Sequence, residues 1–166
     1  PQFRGKVFVI VIDSPPAALA ETMLDLVALQ NIGVRLVIGS TVHSTDDLLD
    51  RAAEVELKYR QSVVDIEAAP EQVIESLDRG QAAVVDLFDA DPFSSSLSEF
   101  SKSLSAAKLV LLYGIGCEVG QLPRGAFRAA KVDDGLPALV HSAAAVCLAG
   151  IPRVHLLDGA DPSVLL

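Results

Sequence analysis

The sequence predicts a three-layer α/β/α sandwich with a mainly parallel, open sheet, and three observations lead there. Short aliphatic runs, such as Val7 to Ile12 and Lys108 to Tyr113, alternate with longer stretches whose apolar residues recur every three or four positions. In one chain that alternation places helices on both faces of a parallel sheet. Gly33, Gly80 and Gly150 close helical stretches and are each followed within a few residues by an apolar run, as left-handed helix stops require. The 166 residues are 51% hydrophobic and only 5% aromatic, which suits a single domain, residues 1–166, with an aliphatic core and no need of disulfide staples.

Taken in order, "KVFVIVIDSPP" is a buried strand, Val7 to Ile12, that ends in a turn at Asp13, Ser14 and two prolines. "PPAALAETMLDLVALQNIG" has prolines placed for a helix start, Leu19, Met23, Leu26 and Val27 at helical spacing, and Gly33 as the stop. A second strand is expected at Arg35 to Gly39, and Ser44 with Asp47 resembles a capping box at the head of the next helix. A strand at Ser62 to Ile66, a helix from about Pro70 to Gly80 and a strand at Ala82 to Phe88 follow. "PFSSSLSEFSKSLS" is serine-rich, yet Phe93, Leu97, Phe100 and Leu104 keep helical spacing, so a surface helix is expected, with Ser96 and Glu99 as its capping pair. Lys108 to Tyr113, the helix "LVHSAAAVCLAG" and a last strand at Arg153 to Leu157 complete the series. Val9, Ile10, Val37, Val85, Val110 and Leu156 are the expected core. No linker, low-complexity tract or solenoid repeat interrupts the pattern.

Charge removes several function classes. A net charge of -9 and a pI near 4.6 leave no basic stripe to neutralise phosphates, so nucleic acid and anionic membrane surfaces are not expected partners. No apolar stretch approaches the roughly 18 residues that span a bilayer, and "PQFRGK" leads into a strand rather than a signal sequence. Cys117 and Cys147 stand far apart among small apolar neighbours, as free buried thiols of a reducing compartment do. The expected location is cytoplasmic.

Open sheets of this kind bind ligands beyond the carboxyl ends of their strands. Those ends read Asp13-Ser14, Gly39-Ser40-Thr41, Asp89-Ala90-Asp91, Gly114-Ile115-Gly116 and Asp158-Gly159. The candidate ligand-binding residues are therefore Asp13, Ser14, Ser40, Thr41, Gly114, Gly116 and Asp158. No catalytic residue and no metal site is assigned, because phosphoryl transfer needs a Lys or Arg together with close glycines, and no strand end supplies both. Each candidate also has a plainer role open to it. Asp13 and Ser14 suit a helix cap, His43 a turn before Ser44, and His141 and His155 are too scattered for a metal. Asp46, Asp47, Asp133 and Asp134 suit solvated helix starts, and "YGIGCEVG" lacks the dinucleotide-binding spacing and reads as a loop.

"FRGKVFVIVIDS", "LVALQNIGVRLVIGS", "VIESLDRGQAAVVDLFDAD", "LSAAKLVLLYGIG" and "AVCLAGIPRVHLLDGADPSVLL" resemble, in that order, successive blocks of the amino acid kinase family. The similarity is nearest to N-acetylglutamate kinase and to the kinase-like domain of N-acetylglutamate synthase, and the last block is the most specific. The resemblance implies a Rossmann-like fold of the amino-acid-kinase type and a place in arginine biosynthesis. The departures bear on function. The family's lysine and glycines after the first strand are replaced by Val11 and Asp13-Ser14, and its three glycines after the second by Ser40 to His43. Its Asn-x-Asp motif falls at Pro92 and Ser94, and its later lysine near Leu139. The region before "SVVDIE" is also much shorter than in the kinases.

The resemblance with these losses implies a catalytically silent domain that binds a regulatory metabolite, supports self-association as a homodimer, or both, with no cofactor expected. The alternative is a divergent acyl-amino-acid kinase using ATP and magnesium. Asp161 and Pro162 look like the start of a further helix, so the natural polypeptide is expected to continue. By resemblance to the synthase it would continue into a tethered acetyltransferase domain that uses acetyl-CoA.

Overall fold

In the computed structural model, which describes residues 3–13, 19–67, 70–113 and 127–159, all six residues of β1 (Val7–Ile12) are buried. A strand paired on both edges and covered on both faces has no polar side, so it reads as a continuous apolar run rather than an alternating one. β1 is paired in this way with β2 (Arg35–Ser40) and β4 (Lys108–Tyr113), both parallel to it, with Val9 level with Val37 and Leu109. β3 (Ala83–Asp86) lies outside β2 and β5 (Arg153–Asp158) outside β4, giving an all-parallel sheet of order β3-β2-β1-β4-β5.

Alternation along the strands splits the core into two halves. Phe8, Ile10 and Ile12, with Leu36, Ile38, Val110 and Leu112, pack against α1 (Leu19–Asn31) through Leu19, Met23 and Leu26, and against α2 (Thr45–Ala53) through Leu48 and Ala52. Val7, Val9 and Val11, with Val37, Val85, Leu109 and Leu111, face α3 (Glu71–Asp78), α4 (Ser95–Ser103) and α5 (Ala138–Leu148) through Val73, Leu97, Phe100 and Val146. The chain runs outward from β1 to β2 and β3, then crosses back to β4 and β5. Right-handed crossovers taken in opposite directions put their helices on opposite faces, which is why α1 lies on one side and α4 and α5 on the other. The three-layer α/β/α sandwich expected from the sequence is the fold observed.

Local signals hold at most boundaries. Gly33 and Gly80 take φ of 94° and 75° beyond α1 and α3, values that a side chain would oppose. The Ser44 hydroxyl accepts from Asp47 N at 3.2 Å, capping α2.

Four expectations need correction. Ser62 to Ile66 is not a strand: Val64 N donates to Val84 O at 2.9 Å and Val64 bridges Val85, while a second bridge joins Tyr59 to Ala82. The segment touches the outer edge of β3 at two separate points, and the exposed Gln61 and Ser62 between them form no ladder. The cap of α4 is Ser94, whose hydroxyl accepts from Leu97 N, and not Ser96. Asp91 sets that start earlier, because its backbone carbonyl accepts from Ser94 N and its carboxylate from Phe93 N. Leu156 is only partly buried, since β5 has a neighbour on one side alone among the described residues. Cys147 is likewise half-buried and free, because α5 is apolar all round and only part of its surface meets the sheet. Cys117 and the Asp161–Pro162 turn lie outside the described residues.

Gly39 shows how tightly β2 and β3 fit. A Cβ built there would lie 2.5 Å from Leu87 Cδ1, 2.9 Å from Leu87 Cγ and 3.0 Å from Val85 Cγ2. The glycine at this strand end is therefore accounted for by packing under Leu87. Gly39→Ala is expected to destabilise the protein by about 1–3 kcal/mol in urea denaturation. Combined with Leu87→Ala, the total loss should be smaller than the sum of the single losses, since the new methyl occupies space that Leu87 vacates.

Candidate functional site

The strand order reverses between β1 and β4, and at such a point an open α/β sheet leaves a crevice at its carboxyl edge. Asp13 emerges there at the end of β1, its N–H donating to Leu112 O on β4 at 2.9 Å. At the end of β2, Thr41 N donates to Ile12 O at 3.1 Å, and Thr41 Oγ1 donates to Asp13 Oδ1 at 2.7 Å. Ser40 Oγ donates to the same Ile12 carbonyl at 2.7 Å and accepts from Val42 N and His43 N at 3.2 and 2.9 Å. Three residues separated in sequence by up to 28 positions thus form one buried polar cluster, with Asp13 5%, Ser40 1% and Thr41 8% exposed.

Not every candidate joins it. Asp158 ends β5 level with Tyr113, and the next residue, Gly159, donates to Tyr113 O at 2.9 Å. That puts Asp158 two strand spacings from Asp13, roughly 10 Å along the same edge. It is exposed to solvent. Ser14, Gly114 and Gly116 lie outside the described residues. Of the acids at and beyond the end of β3, Asp86 and Asp91 accept from Phe88 N and Phe93 N and so serve turns, and Asp89, at φ 59°, donates its N–H to Thr41 O. His43 is buried, with Nδ1 3.3 Å from Asp47 Oδ2. The sequence marked it as a turn residue, and the Ser40 hydroxyl three residues earlier accepts from its N–H.

Charge is sorted along the strand direction. Lys6 immediately precedes β1, and Arg35, Lys108 and Arg153 are the first residues of β2, β4 and β5. The described carboxyl ends carry Asp13, Asp86, Asp89, Asp91 and Asp158 and no Lys or Arg; Arg128 and Lys131 are the described cations of the connection leading into α5. An edge of this kind can accept hydrogen bonds and attract ammonium or guanidinium groups. It opposes a triphosphate. Among the described residues no group of three or more His, Cys, Asp or Glu is placed to hold a metal ion, and no helix is long and apolar enough to cross a membrane.

Two of these observations can be measured directly. Ser40→Ala removes a hydroxyl that bonds three backbone groups, so a loss of about 1–3 kcal/mol of stability is expected in urea melts. Thr41→Val, which removes the donor to Asp13, should cost a similar amount. On β5, burial first, then Lys108 and Arg153, hold the His155 imidazole below its usual pKa of 6.5. The unfolded chain then binds the proton more readily, so stability contributed through His155 is present above pH 6.5 and lost as the pH falls below it. In His155→Gln the decline of stability just below that pH should be shallower.

No family model matches the sequence, and no curated protein matches it. Among solved structures, the crystal structure of N-acetylglutamate synthase from Neisseria gonorrhoeae, complexed with coenzyme A and L-arginine, matches with a TM-score of 0.64 at 17% identity, over 97% of this chain and 58% of that one. The chain therefore spans a little over half the length of that synthase, and what the two have in common is the α/β/α fold.

Proposed function

We propose that this domain is a catalytically silent, amino-acid-kinase-like module that binds a small regulatory metabolite at the carboxyl edge of its sheet, within arginine biosynthesis. The observation that carries the reading is the Asp13–Thr41 pair, which joins the carboxyl ends of β1 and β2 beside the point where the strand order reverses, with no Lys or Arg at any described carboxyl strand end. A phosphate brought to about 4 Å from the Asp13 carboxylate would meet a repulsion of roughly 4 kcal/mol at an effective dielectric near 20. Catalysis of phosphoryl transfer needs the opposite sign of field. The same acids suit a ligand that presents an ammonium or guanidinium group.

The fold shared with N-acetylglutamate synthase supports the biosynthetic setting, and L-arginine, named in that protein's complex, is the ligand of the right charge to try first. In this reading the domain acts beside a separate catalytic domain, such as a tethered acetyltransferase, or as a homodimer. Exposed apolar side chains on its helices, Leu24 and Leu148 among them, provide surface for such packing.

A thermal unfolding scan tests the proposal. L-Arginine at a hundred times its dissociation constant should stabilise by about 2.7 kcal/mol, raising Tm by about 5–10 °C. Magnesium-ATP should leave Tm unchanged, and Asp13→Asn should remove most of the arginine effect. Stabilisation by magnesium-ATP would support the divergent kinase instead, and the absence of any arginine effect would remove this ligand class.

A further inference from the structure

The opposite edge of the sheet carries a feature that the carboxyl-edge site does not use. Lys108 and Arg153 are level with one another at the first positions of β4 and β5. Alternation places His155, two residues further along β5, on the same face as Arg153, and Lys108 on that face of β4. This is the face on which α1 and α2 cover β1 and β2. Three basic side chains therefore share one end of one sheet face in a protein of net charge -9.

Their charge is not neutralised within the described residues. Arg35, the first residue of β2 and one register position away from Lys108, is ion-paired with Asp78, whereas no described carboxylate lies within ion-pair distance of Lys108, Arg153 or His155. The Lys108 ammonium instead lies over aromatic rings, 4.1 Å from the centroid of Phe3 and 5.0 Å from that of Phe8. Those rings hold a cation at the surface without cancelling its charge. Arg153 is exposed, while Lys108 and His155 are partly buried. Repulsion within the group is felt by its members: Arg153 adds to the burial that lowers the Lys108 pKa, and both cations lower that of His155.

We propose that Lys108, Arg153 and His155 form a binding site for a small, doubly charged oxyanion at the amino edge of β4 and β5. An anion seated there relieves the mutual repulsion of Lys108 and Arg153 and accepts hydrogen bonds from all three groups. Arg153 supplies a planar fork of donors, Lys108 a point charge, and His155 an imidazole N–H. The site lies at the far end of the strands from Asp13 and is independent of the metabolite reading above.

Sulfate is the probe of choice because its charge is constant over the range in which histidine titrates. The His155 ring resonances of the full chain would be followed by NMR against pH, with sodium chloride of equal ionic strength as the control. Sulfate should raise the His155 titration midpoint and shift the backbone amides of Lys108 and Arg153, and chloride should do neither. Arg153→Gln, at an exposed position, should weaken sulfate binding about tenfold, the loss of one charge-assisted hydrogen bond. In the absence of sulfate the same variant should raise the His155 midpoint, because a neighbouring cation has gone. Lys108→Met should act in the same direction, and should it fail to fold, Arg153→Gln carries the test alone. Succinate in place of sulfate separates a preference for dicarboxylates from one for tetrahedral anions. The proposal is overturned if sulfate and chloride act alike, or if Arg153→Gln leaves sulfate affinity unchanged.

Discussion

The end of β1 is the constraint on which the candidate site depends. A strand buried on both faces and paired on both edges can expose polar groups only where it stops. Ile12 is the last residue of β1, and its carbonyl accepts from both Thr41 N and Ser40 Oγ, using both of its lone pairs. One residue later, Asp13 N is taken by Leu112 O. The central strand is thereby tied to both neighbours at the point where the strand order reverses. Ser40 is occupied by that closure, and Asp13 and Thr41 are held by each other, so the polar character of this edge is set by packing before any ligand arrives.

An all-parallel sheet turns sequence position into spatial polarity. Every residue that precedes a strand lands on one edge and every residue that follows a strand on the other. Lys6, Arg35, Lys108 and Arg153 thus gather at the amino edge, and Asp13, Asp86 and Asp158 at the carboxyl edge. The net charge alone would suggest a uniformly acidic body. The fold instead separates the signs by the length of a six-residue strand, about 20 Å, which is beyond the screening length of physiological salt. Each edge therefore presents its own sign of charge to the solvent.

Among the described residues the two outer strands have different surroundings. Outside β3, the backbone at Lys58, Arg60 and Val64 bonds to Ala82 and Val84 and covers the edge without extending it. Outside β5 no such segment appears among the described residues, and residues 154 to 157 remain partly buried. His155 is itself only partly buried, with enough desolvation to disfavour its proton.

Much of the fold was legible in the sequence because its determinants are local. The aliphatic runs, the helical spacing of Leu19, Met23 and Leu26, and the stops at Gly33 and Gly80 each lie within one element. β1, β2 and β4 accordingly fall where the sequence placed them, within a residue at their ends, and α1 stops before Gly33 as expected, the prolines at its expected start lying outside the described residues. The chemistry of the strand ends was legible as residue types: Asp13, Ser40, Thr41 and Asp158 were visible as polar groups without cations. What each of them does was decided by contacts between distant segments. A partner of Asp13 is 28 residues away, Gly39 is required by Leu87 on another strand end, Ser94 rather than Ser96 caps α4 because Asp91 turns the chain first, and Leu156 is half-open because β5 is outermost among the described strands. Periodicity and turn chemistry determined the elements, since those forces act over a few residues. Only the tertiary structure decided which hydroxyls are consumed, which charges meet and which strand ends up outermost, because hydrogen bonding and burial across a sheet depend on residues that the local sequence does not contain.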